Sequence, residues 1–343
     1  MQHQVYFGSY TSAVNGRGIT CASFDSDSGQ LTLFESYAQT ADPSYLCLSQ
    51  DRRFLYAASE AASGDSAVAW FARAADGTLA FAGQVPAPGS AVCHVTTVGA
   101  MVIAASYGSG LVHRYHAGDS LELRQTLRLE GSGPVLDRQA GSHAHQTTLS
   151  PGGTHLLVCD LGSDSIWIYR RYRDDRLELA QKLSLPPGSG PRHIAWHPTG
   201  TCFFLACELS GAVFHCVWDA TDGVGEVREH VLSESETDLQ PWTAAIRIHT
   251  CGRLVACSNR RANTIVSFGF DGDALTKISV TPTGGTVPRD FDYDPSGRWI
   301  LAAHQDDGRV TAIPVDQQTG LPVGDAAVVG ELLGCVCVLF SRD

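Results

Sequence analysis

The chain has 343 residues, enough for one large domain or two to three ordinary ones, and enough to bury a substantial core. Hydrophobic residues make up 43% and charged residues only 17%, which excludes disorder as a description of the whole, and no apolar run is long enough for a membrane span. The formal net charge of -12 argues against DNA or RNA as a partner, because nucleic-acid binders usually carry the opposite balance.

The first elements read as three short strands, Val5–Thr11, Gly18–Phe24 and Leu31–Tyr37. A unit then begins at Pro43. An alternating strand leads through a Ser/Asp turn to a hydrophobic strand that ends in a polar residue, Glu60. The same rhythm recurs at Val92–Tyr107, with a shortened turn, and at His143–Leu161, Pro191–Glu208, Ala244–Arg260 and Pro288–Gln305. The copies open near residues 44, 93, 145, 192, 244 and 289, a spacing of 45–52 residues. A third apolar alternation follows each copy, as in Ser165–Tyr169 or Ala212–Trp218, and then a more polar fourth, as in Glu226–Val231. Between Asp119 and Gly141 the chain is longer than in the other copies, and this segment is expected to form a loop over one face. The last run, Cys335–Phe340, resembles a first strand with nothing after it.

Four short strands at this period are the signature of a propeller blade. The lone C-terminal strand and the three N-terminal strands complete a seventh blade, which removes the exposed sheet edges. The expected fold is all-β: one seven-bladed β-propeller domain over residues 1–343, with four antiparallel strands per blade. A β-sandwich would not repeat so regularly. The 35 glycines suit the many turns of such a ring. The 11 cysteines form no Cys-x-x-Cys pair and sit mostly in apolar runs, so they read as reduced core thiols. Met1–Val5 lacks the features of a signal peptide, and a cytoplasmic protein is expected.

Equivalent positions in a propeller lie on rings about the central channel. One ring opens the first strands: Ser44, Cys93, His145, Arg192, Ala244, Arg289 and Gly334. A second follows the second strands: Glu60, Tyr107, Leu161, Glu208, Arg260, Gln305 and Thr11. A purely structural ring would tend to repeat one residue type. These rings are diverse and rich in His, Arg and Glu, which suits a small anionic ligand and acid–base chemistry at a channel mouth.

On these residues the sequence resembles a known family, the propeller-type 6-phosphogluconolactonases and carboxy-cis,cis-muconate cyclases. The marks are Gly8-Ser-Tyr-Thr11, His143-Ala-His145, Gly190-Pro-Arg-His193, Glu208-Leu-Ser-Gly211, Ser258-Asn-Arg260 and Pro288-Arg-Asp-Phe291, spread over nearly the whole chain. The resemblance implies a catalytic cleft at one channel mouth, with His145, Arg192, Glu208 and Arg260 carrying the site.

Lactone hydrolysis needs a deprotonated water, a stabilised oxyanion and a protonated leaving oxygen. His145 and Glu208 are candidates to share the proton transfers. Arg192, Arg260 and Arg289 are candidates to bind anionic groups, and Tyr107, Gln305, Glu60 and His143 to contact substrate. The same residues would also serve a lactonizing cycloisomerase, and a non-catalytic binding propeller is a third reading. No metal and no cofactor is expected; His304, Asp306 and Asp307 form the one other cluster with ligand-type side chains, in a blade turn where solvation is expected. The expected partner is a small anionic or polyhydroxylated lactone, with no nucleic acid and no membrane, bound by a monomer or homodimer.

Overall fold

The computed structural model describes residues 1–61, 64–221, 223–232 and 242–342. Its strands form seven four-stranded antiparallel sheets. In chain order, β1 (Gln2–Ser9), β2 (Ile19–Asp25) and β3 (Gln30–Tyr37) join β28 (Cys335–Phe340) in one sheet, with β28 paired to β1. The other six sheets each take four consecutive strands. Their first strands are β4 (Pro43–Leu48), β8 (Val92–Val98), β12 (Ala144–Leu149), β16 (Pro191–Trp196), β20 (Thr243–Ile248) and β24 (Pro288–Tyr293). These six and β28 touch one another in a closed circle and line the channel.

The core is distributed rather than central. Seven apolar clusters are present, and each joins residues of two neighbouring sheets, such as Leu157 and Phe203, or Val5 and Leu301. The second strands are buried on both faces, as Cys202–Cys207 and Leu254–Asn259 illustrate. The fourth strands are mostly exposed, with alternation only near their ends. This gradient follows the sequence: apolar runs lie in the middle of each blade and polar runs at its rim.

The first strand of every sheet carries a β-bulge at the same place. The register skips Ser44, Cys93, His145, Arg192, Arg289 and Val336, and skips both Ala244 and Ala245 in the β20 strand. A bulge leaves one residue out of the ladder and re-aims its side chain. The innermost ring of side chains is therefore a ring of bulged residues. Its seventh member is Val336, not Gly334 as the sequence spacing suggested. Gly334 lies two residues earlier and has φ +68. The same left-handed position is held in other blades by Asp42, Ala91, Gly190, Trp242 and Val287.

The carbonyls of these residues accept hydrogen bonds from the second ring. Glu60, Tyr107, Glu208, Arg260 and Gln305 donate their backbone N–H groups to Asp42, Ala91, Gly190, Trp242 and Val287 at 2.7–3.2 Å. Leu161 donates likewise to His143, and Tyr10 to Gly334, both at 3.0 Å. Tyr10, rather than Thr11, is thus the seventh member of the second ring. No helix among the described residues is long and apolar enough to cross a membrane.

The left-handed residue before six of the seven bulges (His143 is the exception) generates a prediction. A left-handed L-residue costs about 1–2 kcal/mol, and a β-branched one is the worst case. A Cβ on Gly334 would also fall 2.8 Å from the Ala13 side chain. Gly334→Val is expected to destabilise the fold by about 2 kcal/mol or more, seen as a lower urea midpoint. Val287→Gly is expected to leave the midpoint unchanged or raise it, since relief of the Val287 turn offsets the added chain entropy of glycine.

Candidate active site

Three adjacent blades bring His145, Arg192, Glu208 and Arg260 to one mouth of the channel, Arg192 and Glu208 coming from the same blade. Arg192 and His145 come from bulges, and Glu208 and Arg260 follow the second strands of their blades. The Glu208 carboxylate organises the group. Its Oε2 accepts from Arg192 Nε at 2.8 Å, and Arg260 Nη2 lies 2.8 Å away as a second charge pair. Its Oε1 accepts from a third guanidinium, that of Arg138. Arg192 and Glu208 are almost fully buried, whereas the Arg138 side chain is 30% exposed.

Arg138 is not visible in the repeat. The loop expected over 119–141 is shorter than that, because Leu121–Arg128 is the outer, fourth strand of its sheet; Arg138 belongs to the remaining stretch, residues 129–141, which reaches this mouth and contains the short helix α1 (Leu136–Gln139). Gln139 is fully buried and pins the segment: its Nε2 donates to the Leu161 carbonyl at 2.9 Å and to Asp164 Oδ1 at 2.7 Å. Asp164 also accepts from the backbone of Gly188 and Gly190, each at 2.7 Å. One carboxylate thereby fixes both the segment that carries Arg138 and the turn that leads into Arg192. Arg138 Nη2 additionally donates to the Tyr107 hydroxyl at 3.3 Å.

A second group stands on the opposite wall. Arg289 Nη2 lies 3.2 Å from Glu60 Oε1, and its Nη1 donates to Gln305 Oε1 at 3.2 Å. Tyr10 donates its hydroxyl to Glu60 Oε2 at 2.8 Å, and the Arg289 guanidinium lies over the Tyr10 ring. His143 stacks on Tyr107, with ring centroids 4.5 Å apart, and its Nδ1 meets the Tyr107 carbonyl at 2.8 Å. Asp160 holds the turn before His145 by accepting from the His143 N–H at 2.7 Å. The structure thus gathers all nine sequence candidates around one mouth. Tyr10 and Arg138 join them, and neither was singled out from the sequence.

The protonation states follow from burial and charge. Burial opposes ionisation of Glu208, but the charges of Arg260, Arg192 and Arg138 outweigh it and hold the carboxyl well below 4.5. Burial and the Arg192 charge push His145 well below 6.5, so its ring is neutral at pH 7. Burial, opposed by Glu208, draws Arg260 down to about 10, which still leaves it protonated. Four guanidinium groups (Arg138, Arg192, Arg260 and Arg289) then face two carboxylates (Glu60 and Glu208). Two positive charges are left over in a chain whose net charge is -12.

The turn at His304 is a correction to the sequence reading. His304 is fully buried, with Nδ1 2.8 Å from the Arg309 carbonyl, while Asp306 is exposed. His304 therefore does not share a solvated cluster with Asp306 and Asp307. Among the described residues no group of three or more His, Cys, Asp or Glu side chains is placed to hold a metal ion. The described cysteines form no disulfide with one another, and nine of the 11 are buried.

Comparison with known proteins agrees with this architecture. The family described as "Lactonase, 7-bladed beta-propeller" matches residues 4–340. The 6-phosphogluconolactonase of Bacillus subtilis is 28% identical over 326 residues, covering 92% of both chains. An uncharacterized protein of Lactococcus lactis is 30% identical over 329 residues, covering 93% of this chain and 94% of its own. The solved structure of the periplasmic gluconolactonase of Pseudomonas aeruginosa superposes with a TM-score of 0.92 at 25% identity, covering 99% of each chain. The chain belongs to the family of seven-bladed β-propeller lactonases.

Proposed function

We propose that the protein hydrolyses a sugar-acid lactone that carries an anionic group. The observation that carries this reading is the two-charge cationic excess at a mouth where a neutral histidine stands beside buried arginines. Such a mouth favours a carboxylate or phosphate and strengthens its hold by excluding water.

In this reading His145 is the general base. It takes a proton from water as the water oxygen attacks the lactone carbonyl. The carbonyl becomes an oxyanion, which Arg192 and Arg260 stabilise. When the tetrahedral intermediate collapses, the ring C–O bond breaks and the imidazolium returns the proton to the leaving oxygen. Glu208 has a different role from the one first expected of it. A carboxylate held by three guanidiniums is too weak a base to compete with His145. It stays ionised, aligns Arg192 and Arg260, and stabilises the imidazolium as it forms. Arg289, Glu60, Gln305, Tyr107 and His143 face the remaining substrate groups, and the partly exposed Arg138 takes the anionic substituent.

Assay of phosphorylated and unphosphorylated aldonolactones tests the reading. A product heavier than substrate by one water is expected; an unchanged mass would indicate a cycloisomerase instead, and no turnover of any lactone would remove the proposal. Loss of a charge-assisted contact costs about 1.5–3 kcal/mol, so Arg138→Ala is expected to raise KM for a phosphorylated lactone by roughly 10-fold or more. The neutral lactone should show a much smaller change.

The pH profile gives a separate expectation. The groups facing His145 are Arg192, Glu208, Arg289, Arg260, Tyr107 and His193. The base must be neutral, and its pKa lies well below 6.5. Activity is therefore expected to hold as pH falls through 6.5 and to decline only at lower pH, as the lowered pKa is crossed. Arg192→Gln removes a charge that lowers this pKa, so the acid limb of kcat/KM should move to higher pH. A wild-type acid limb at or above 6.5 would exclude His145 as the base.

A further inference from the structure

At the floor of the mouth, the bulged strands narrow to a small chamber on the channel axis. Together with Glu60 and Arg289 of the mouth and with Asp290, its lining includes Ser44, Tyr45, Cys93, His145, Arg192 and His193, and its volume of about 10 Å³ matches one water molecule. Several of these residues present buried polar atoms with no protein hydrogen-bond partner: Ser44 Oγ, His145 Nδ1, Arg192 Nη1 and both ring nitrogens of His193. Burial of unpaired donors and acceptors is rare and destabilising. Other polar side chains at this level are satisfied: Gln146 Oε1 accepts from the Ile194 N–H at 2.6 Å, and Asp290 Oδ2 from the Val338 N–H at 2.9 Å. The unpaired atoms converge from three strands on one water-sized space.

We propose that this chamber seats a single ordered water, and that the water holds His145 in the tautomer that serves as base, with His193 and Ser44 as positioning residues. The inference rests on the reading of His145 as the general base. Its hydrogen bonds can be counted. Water offers two lone pairs and two hydrogens. The Arg192 guanidinium only donates, so it takes one lone pair. His145 Nδ1–H takes the other. The two hydrogens go to Ser44 Oγ and to one ring nitrogen of His193. All four positions of the water are then filled, and the Nε2 lone pair of His145 is left for the attacking water.

His193 suits this part. Its ring lies 5.2 Å from that of His145, inclined at 71°, and packs against Tyr45 and His94. Burial, with Arg192 next in weight, keeps it neutral, so one nitrogen accepts. No proton crosses the chamber during turnover. The water keeps Nδ1 protonated while Nε2 exchanges a proton with substrate.

Two measurements on the unaltered protein test the proposal directly. A crystal structure at high resolution should show one density peak within hydrogen-bond distance of the four groups. Nitrogen NMR of histidine-labelled protein should report His145 as the Nδ1–H tautomer. Absence of the peak, or an Nε2–H tautomer, overturns the proposal, whether or not His145 proves essential.

Variants add a kinetic readout. Ser44→Val fills the chamber, and His193→Phe removes an acceptor. Each is expected to lower kcat by roughly 10²-fold with KM little changed, given what a positioned base contributes. His193→Gln restores an acceptor and should recover much of the loss. Folded His193→Phe protein with unchanged kcat overturns the positioning role. If instead the water is present but His145→Gln retains full turnover, it is the base reading that fails, and the positioning role with it.

Discussion

The ladder of each inner strand breaks at one residue, and the chemistry of the channel depends on that break. A regular strand would alternate its side chains between the two flanking interfaces and leave backbone facing the axis. The bulge takes one residue out of the alternation and turns it inward. His145, Arg192 and Arg289 reach the mouth this way. The residue two places before each bulge, left-handed in every blade but that of His143, supplies the carbonyl that anchors the next polar ring, including Glu208 and Arg260. Fold and site thus share one backbone device, and the strain at Trp242 and Val287 is its local cost.

Charge acts on top of that geometry. Burying Arg192 and Glu208 together is favourable only because each answers the other; an isolated charge there would be strongly disfavoured. The carboxylate of Glu208 collects three guanidiniums and so neutralises only part of their charge. The surplus is concentrated at the mouth, while the rest of the surface is acidic. An anionic substrate would be repelled by the chain at long range and attracted at short range, so binding at this site is governed by close contacts rather than by steering.

Much of this was legible in the sequence because the repeat sorts residues before their chemistry is considered. The period near 48 residues and the strand alternation were enough for the seven blades and for both rings. Two ring members were misplaced, each for a local reason. Gly334 was taken for the inward residue because the last strand lacks a polar landmark; its left-handed φ marks it instead as the counterpart of Gly190. Thr11 was preferred to Tyr10 because the first blade begins with its second strand, so no earlier copy fixed the count. Arg138 lies in an insertion with no equivalent in other blades, and repetition carries no information there. The role proposed for Glu208, a charge anchor rather than a proton carrier, also rests on three-dimensional contacts, because a residue's basicity depends on how many cations surround it.

The pairing of β28 with β1 has a consequence for the order of events during synthesis. The ring closes only when the last strand meets the first, and Arg289 meets Glu60 across 229 residues of chain. A nascent chain therefore exposes an unpaired blade edge and one incomplete wall of the mouth until Cys335–Phe340 has emerged. Nearly all of the blades can form as they appear, since their strand pairings are local. The mouth cannot, because its two walls meet only when β28 reaches β1. The candidate site is therefore complete only once β28 has joined β1.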